Sequence, residues 1–510
     1  MSKPKLSPPV IRQLIILAAC RLAEPVSLTS VSPYLYYMVE SFGVPHEEIP
    51  FYVGITFACF SFAQFLTGIF WGRVSDRFGR KPTMLMGLSG SLLFILIFGF
   101  STTLPMAIFA RCSSGLVNGN VGILRTMVAE MVPQRELQPR AFSVMPMIWT
   151  TGSILGPAIG GFLADPVTNH PNWFKGEPPA FLKKFPFCLP NLVSAALLVC
   201  GLSAGALFLK ETLETKKNEP DRGRQIGKKI IEFFSQSPQH RTDMLDETTS
   251  LLADSSSRTD GEVNFPPEVL KDSAPPPLMQ AFTFQSTVNI IVYCSICLHT
   301  ITFDQLLPVF MSYPREDTPR QGLKFAGGFA MPSYTIGFFY TVYGIVGMFL
   351  QFFVFPPVVN ALGPLRTLWC CSLVFPVIYF LAPFTLLLPR DHQHLVLFFL
   401  LFARGVSSIF SFPCSTILLT NSSPSLRLLG TLNGIAVALG ALSKGMGPAI
   451  GGLAFTLGQK TGYGILPWFL LSGITTLCIL PLVFLVEGEA SPNNKPMQGV
   501  EGDEVGPLAK

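Results

Sequence analysis

Gly156-Pro157-Ala158-Ile159-Gly160-Gly161 is repeated without change as Gly447-Pro448-Ala449-Ile450-Gly451-Gly452, a little over half the chain later. Both copies lie inside apolar stretches. Small residues inside hydrophobic segments let helix backbones approach closely, and a duplicated hexapeptide points to two homologous membrane halves. Other matches keep the same order. Ala110-Arg111 recurs as Ala403-Arg404, and Gly79 has a counterpart in Gly363.

Composition agrees. Of 510 residues, 49% are hydrophobic and only 13% charged, about half the ~25% charge of soluble proteins. The deficit is concentrated in runs of about 20 residues, each long enough to cross ~30 Å of hydrocarbon as a helix. The expected fold is an all-α membrane protein of twelve transmembrane helices in two pseudo-symmetric six-helix halves. Expected spans cover 12–39, 51–71, 83–103, 104–131, 141–164, 186–209, 284–311, 333–357, 365–388, 394–420, 429–457 and 465–486.

An even number of spans puts both termini on one side. Arg73, Arg77, Arg80, Lys81, Arg135, Arg140, Arg366 and Arg427 fall in alternate short loops on that side, with Lys3, Lys5 and Arg12. The positive-inside rule makes it cytoplasmic, although Lys175, Lys183, Lys184 and the 315–324 loop break the pattern. The organisation reads as a short N-terminus (1–11), a six-helix bundle (12–209), a linker (210–283), a second bundle (284–486) and a tail (487–510). The linker is polar and low in aromatics, so it is expected to be mostly disordered. Its 226–234 segment is amphipathic enough to lie on a membrane surface.

Between spans two and three stands Gly72-Arg73-Val74-Ser75-Asp76-Arg77-Phe78-Gly79-Arg80-Lys81. Gly72 and Gly79 permit tight turns and close approach. Asp76 is suited to a helix N-terminus, and Arg77, Arg80 and Lys81 to carboxylates or lipid phosphates. A positive-inside cluster alone would explain the basic residues but neither the glycines nor Asp76. Span five carries Gly152, Gly156, Pro157, Gly160 and Gly161, four glycines near one face with a helix-bending proline. In span four Arg111 lies well inside the membrane, where an arginine needs a partner. Glu24 in span one is expected at similar depth, with Arg21 one turn away as a competitor for it. A static salt bridge would explain the same residues. Arg404, Lys444, Asp304 and His299 also fall within spans, Arg404 and Lys444 near the midplane, where they suit an anionic or polar solute group.

The 72–81 loop resembles the Gly-x-x-x-Asp-Arg-x-Gly-Arg-Lys loop of the major facilitator superfamily, and the motif order is similar to that family over all twelve spans. In that family the loop is a latch between halves. The Gly152–Gly161 pattern resembles that of proton-coupled antiporters, and Arg111 the family's coupling arginine. Glu24-Pro25, Pro33-Tyr34, Trp71, Asn118-Gly119, the run from Gly156 to Pro166, Phe185-Pro186-Phe187 with Leu189-Pro190, and Lys210-Glu211-Thr212-Leu213 narrow the likeness. They resemble the drug:proton antiporters, in particular the zinc-induced-facilitator-like group and its fungal relatives. The plant group's Cys-Pro-x-Cys signature is absent, which favours the fungal branch. Pro356 and Asn360 replace Gly72 and Asp76 in the second half, so the latch is expected to be asymmetric.

The resemblance implies a secondary transporter moving a small molecule or ion by alternating access, with protons as the counter-ion and membrane lipid as the other partner. Glu24, Arg111, Asp304, Arg404 and Lys444 are the coupling candidates, and neutralising Glu24 is expected to abolish proton-driven uptake. The alternatives are an uncoupled facilitator and a nutrient sensor on the same fold. A net charge of +5 is too small and scattered for nucleic acid, and no phosphate-binding loop or acid–base set points to an enzyme. Cys294-x-x-Cys297 with His299, and Asp391-His392-x-His394, have metal-like spacing, but packing thiols and solvated histidines account for both, so no metal or other cofactor is expected. A monomer is expected. Glu247-x-x-x-Leu251-Leu252 resembles an acidic dileucine sorting signal, favouring a vacuolar membrane over the plasma membrane.

Overall fold

The structure is a computed structural model that describes residues 7–132, 144–174, 176–217, 219–234, 282–316, 323–422 and 429–486. The dileucine-like segment, the tail, and Lys3, Lys5, Arg135, Arg140, Lys175 and Arg427 lie outside them. The described residues form helices joined by turns and loops, with one isolated bridge between Phe325 and Tyr463.

Twelve spans follow in order: Pro8–Thr29 with Leu35–Ser41, Ile49–Phe78, Arg80–Gly99, Leu104–Val117 with Asn120–Met131, Val144–Leu163, Cys188–Phe208, Phe284–Ser312, Ser333–Phe349 continued by Phe355–Leu362, Pro364–Leu381, Arg390–Asn421, Leu429–Thr461 and Leu466–Ile479. Nine helices among the described residues are long and apolar enough to cross a membrane alone, and spans 1, 4 and 5 fall short of that measure. Spans 1 and 4 fall short for a physical reason. Each carries buried arginine and each is broken, span 1 after Thr29 and span 4 at Asn118-Gly119. At the second break, Gln64 Nε2 donates to the Asn118 carbonyl at 3.2 Å and to its side chain at 3.1 Å. The free backbone group created by the break is thereby satisfied from span 2.

Span 2 extends further than the hydrophobic pattern predicts. Its helix continues through Gly72 and Asp76 to Phe78 and stops at Gly79, where φ is +107°. Gly363 stops span 8 in the same way, with φ +80°. Only glycine enters that region cheaply, so the two halves share a turn as well as a sequence. The linker also differs from expectation: residues 211–217 and 219–234 are described, and they include a helix over Arg222–Phe234.

Spans 3, 6, 9 and 12 pack chiefly on helices of their own half. The halves meet chiefly through two pairs, span 2 with span 11 and span 5 with span 8, with lesser contacts of span 7 on spans 1 and 2. This leaves spans 1, 4, 7 and 10 to face the space between the halves. Each copy of the hexapeptide packs within its own half and across to the other. Gly156 and Gly160 lie directly against Thr29 and Ser30 of span 1, and Gly447 and Gly451 against Thr302 of span 7. The last glycine of each copy meets the opposite half: Gly161 faces Gly337, and Gly452 faces Gly54. These two crossings are related by the exchange of halves, because spans 5 and 11 are counterparts, as are 8 and 2.

Both crossings lie on the side away from the linker. There Phe51 N donates to Thr456 Oγ1 at 3.2 Å, Asn169 Nδ2 to Ser333 Oγ at 3.3 Å, and Tyr37 Oη to the Met331 carbonyl. Lys460 pairs with Glu48 across the halves at 2.9 Å. On the linker side the picture reverses. A β-carbon on Gly72 or Gly434 would meet no described atom within 4 Å. The close approach expected at Gly72 is therefore not made among the described residues, whereas the far side is held shut.

A β-carbon at Gly161 would lie 2.5 Å from the Ser333 carbonyl, which is backbone and cannot rotate away. Gly161→Leu and Gly452→Leu should therefore open the far side. Overpacking costs about 1–3 kcal/mol, enough to shift the population roughly fivefold or more. Spin labels at positions 47 and 462 in a cysteine-depleted background should show the short-distance population falling. An unchanged distance distribution would contradict this account of closure.

Candidate functional site

Two groups of charged residues stand out, one inside the spans and one at the linker-side end of the first half. Inside the spans, the expected Glu24–Arg111 pair does not form. Glu24 pairs instead with Arg21, three residues earlier on the same helix, at 1% and 9% exposure. Proximity on one helix face wins over a partner on another helix. Pro25 and Val26, next in sequence, lie against Gly152 of span 5, with Pro25 Cγ 2.6 Å from where a β-carbon would be. Thr29 Oγ1 bridges the same helices, donating to the carbonyls of Pro25 at 2.8 Å and Gly152 at 3.2 Å. The Gly152, Gly156 and Gly160 stripe is thus the bed on which the Glu24 segment lies.

Arg111 is buried with no ion pair among the described residues, and its Nε has no hydrogen-bond partner. It stands among three rings instead, Phe57, Phe60 and Phe98, at 5.3–5.5 Å. Each desolvated cation–π contact supplies about 2 kcal/mol, against a desolvation penalty of several kcal/mol for a buried ion. The rings soften that penalty without neutralising the charge.

Its counterpart Arg404 is treated differently. Asp304 pairs with it at 2.7 Å, Arg404 donates to the Thr300 carbonyl at 2.9 Å, and to Tyr343 Oη at 3.3 Å. Phe303 lies under the guanidinium at 4.9 Å. Tyr340 donates to the Asp304 carbonyl at 3.3 Å, and His299 Nδ1 is 3.0 Å from Tyr379 Oη. Aligning the two Gly-on-Gly crossings sets Phe57 and Phe60 opposite Tyr340 and Tyr343. The second half therefore replaces apolar rings with phenols and adds a carboxylate. Asp304 retains 35% side-chain exposure while Arg404 is 3% exposed, so the carboxylate is the less enclosed member of the pair. Lys444 lies on the span 11 face between Gly440 and Gly447, both of which meet span 7, and is half-buried.

At the linker-side end, Asp76 occupies the last turn of span 2, not the helix N-terminus expected of it, because the helix runs on to Gly79. Its carboxylate accepts from Arg80 Nη1 at 2.5 Å. Arg80 also donates to Ser75 Oγ at 2.7 Å and to Glu130 of span 4 at 3.1 Å. Arg77 is exposed beside Phe78. The anion at the N-terminus of span 3 is Glu211, whose two oxygens accept from the backbone N–H groups of Arg80 at 2.9 Å and Lys81 at 3.0 Å. The dipole and the unpaired N–H groups make this a favourable seat for a carboxylate. A side chain at Gly79 would have its β-carbon 2.6 Å from Glu211 Oε2, a second reason for glycine there. Lys81 pairs with Asp221 at 2.6 Å and donates to the Ala206 carbonyl at 2.8 Å. Burial alone would raise the Asp221 carboxyl, but Lys81 and the N–H groups of Arg224 and Gly223 hold it below the usual range.

In the sequence Glu211 stands only within the Lys210–Leu213 likeness, and Glu130 and Asp221 belong to no motif. Their signal was thin: acidic residues near the end of one span and within a polar linker. Among the described residues no group of three His, Cys, Asp or Glu is placed to hold a metal. His392 and His394 begin the helix of span 10 rather than a loop.

The Major Facilitator Superfamily profile matches residues 17–334. The chain is 39% identical to the major facilitator superfamily multidrug transporter mfsB of Aspergillus fumigatus over 491 residues, covering 90% of this chain and 81% of that protein. It is 30% identical to the protein ZINC INDUCED FACILITATOR 1 of Arabidopsis thaliana, covering 86% of this chain and 83% of the relative. Among solved structures, a D-xylose-proton symporter superposes with a TM-score of 0.63 at 12% identity, over 93% of this chain and 97% of the other. That last likeness concerns the fold.

Glu211→Ala should remove the bonds accepted from the Arg80 and Lys81 N–H groups and cost about 1–2 kcal/mol. A lower midpoint of thermal unfolding in detergent, partly restored in Glu211→Gln, is the expected result. A midpoint equal to that of the unaltered protein would remove Glu211 from this role.

Proposed function

The chain belongs to the Major Facilitator Superfamily and is a multi-pass membrane transporter, and on that premise we propose that it exchanges protons for a small organic solute bearing an anionic or polar group. The observation that carries this reading is the asymmetry between the two buried arginines. Arg404 has a carboxylate, Asp304, whose side chain is 35% exposed, whereas Arg111 stands among rings with no ion pair among the described residues. An ion pair that one proton can dissolve is a coupling device, since protonating Asp304 releases Arg404 and reshapes its bonds to Tyr343 and Thr300. An arginine lacking a counter-charge invites an anionic group of the solute. Lys444 adds a second positive charge on the same path.

Glu24 takes a different part in this scheme. At 1% exposure and locked to Arg21, it fixes span 1 on the glycine stripe of span 5. Removing one member of a buried pair leaves an uncompensated charge and costs about 3–5 kcal/mol. The relative mfsB is described as a multidrug transporter, which supports an organic substrate. The linker side is assigned to the cytoplasm, supported by Arg73, Arg77, Arg80, Lys81 and Arg366 there. Rocking about the far-side glycine crossings then exposes Asp304 and Arg111 to each side in turn.

The test uses purified protein in vesicles with a panel of fluorescent drugs and organic anions. The unaltered protein should concentrate at least one of them against a gradient when a pH difference is imposed. Asp304→Asn should lose that response while keeping solute exchange at zero pH difference within about threefold. Glu24→Gln should lose both activities together with thermal stability. Gradient-driven uptake that persists in Asp304→Asn would overturn the coupling assignment. Uptake by the unaltered protein that ignores the pH difference would make the chain a facilitator.

A further inference from the structure

The polar stretch after span 6 contains the Arg222–Phe234 helix, whose surroundings fit neither a free linker nor a transport role. Gly227 is buried against the Leu207 carbonyl, and Gly223 lies against the Ala206 carbonyl. Two glycines one turn apart thus hold the helix against the end of span 6. Advancing about 100° per residue, Gly223, Ile226, Gly227, Ile230 and Ile231 fill one continuous arc. Arg222 and Lys229 border that arc on one edge, and Arg224 and Lys228 on the other. Only Glu232 opposes these four basic residues. Ile226 and Ile230 are 53% and 38% exposed, although each is a large apolar side chain beside the membrane-embedded end of span 6.

We infer that this helix is a docking surface for the anionic lipid leaflet, and that its seating holds the gating segment at Gly79-Arg80-Lys81. Charge complementarity and continuity with the bilayer-embedded span select the lipid surface. Isoleucines buried at the headgroup level with flanking Lys and Arg reaching the phosphates are the arrangement such surfaces bind. The mechanical link is a single carboxylate. Asp221 begins the helix, its Oδ1 accepting from the Arg224 N–H at 3.2 Å, while its Oδ2 accepts from Lys81 Nζ at 2.6 Å. Ordering the helix therefore places the Asp221 oxygen on Lys81, beside the Glu211 cap on the same turn. Loss of the lipid surface frees both, so lipid composition sets how firmly the latch segment is held.

The test is amide hydrogen exchange on the full-length protein in neutral phosphatidylcholine vesicles and in vesicles containing roughly one-third phosphatidylserine, a basic residue near an anionic surface being worth roughly fivefold in partitioning. Exchange in residues 222–230 and 79–84 should slow by about fivefold or more in the anionic vesicles. The far-side segment 325–331 should not change. The difference should vanish in the variant Arg222→Gln, Arg224→Gln, Lys228→Gln and Lys229→Gln, and in native protein at about 1 M salt. Ile226→Ser with Ile230→Ser should raise exchange in both vesicle types while leaving the charge effect detectable. Equal exchange in neutral and anionic vesicles for the native protein would overturn the inference. So would a slowing of 222–230 that survives removal of all four basic residues.

Discussion

Backbone-to-backbone contact at two glycine crossings is the constraint from which the rest of the structure follows. Where Gly161 meets Gly337 and Gly452 meets Gly54, there is no side chain to compress or rotate. The halves are thus held at two points that no side-chain rearrangement can relax. Helix association in lipid has no hydrophobic drive of its own and depends on such close packing. Two small contacts related by pseudo-symmetry make a pivot, and the polar bonds around them, Lys460 with Glu48 among them, secure the closed side.

The same glycines connect the pivot to the charged interior. Gly152, Gly156 and Gly160 lie against span 1 at Pro25, Thr29 and Ser30, immediately after Glu24, while Gly447 and Gly451 lie against Thr302, two residues before Asp304. A rocking motion about the crossings therefore acts on the helices that carry the two mid-span carboxylates. The halves differ in what those helices offer. The first half holds a closed pair, Arg21 with Glu24, and an arginine among phenylalanines; the second holds an accessible pair among tyrosines. Duplication supplied the frame, and divergence at a few positions supplied two unlike sites within it.

Much of this was legible in the sequence because the signals were local or repeated. The hexapeptide, the apolar runs and the positions of Arg111 and Arg404 needed only spacing to be read. What escaped depended on three-dimensional competition. Glu24 was expected to reach Arg111, yet a neighbour one turn away captured it. Asp76 was expected to begin a helix, but span 2 continues to Gly79 and the vacant N-terminus is occupied by Glu211, some 130 residues distant in sequence. Asp304 and Arg404 stand 100 residues apart in sequence, and nothing in their spacing says that they bond. Periodicity can place a residue on a helix face; it does not say which of two charges arrives first.

The most direct test of proton exchange is to record proton movement itself. With a pH-sensitive dye trapped in vesicles holding the purified transporter, an outward gradient of a transported solute is imposed at equal pH. The account predicts that the interior acidifies as solute leaves, and that Asp304→Asn abolishes this change while solute still exchanges. Solute efflux from vesicles of the unaltered protein with no movement of interior pH would contradict it.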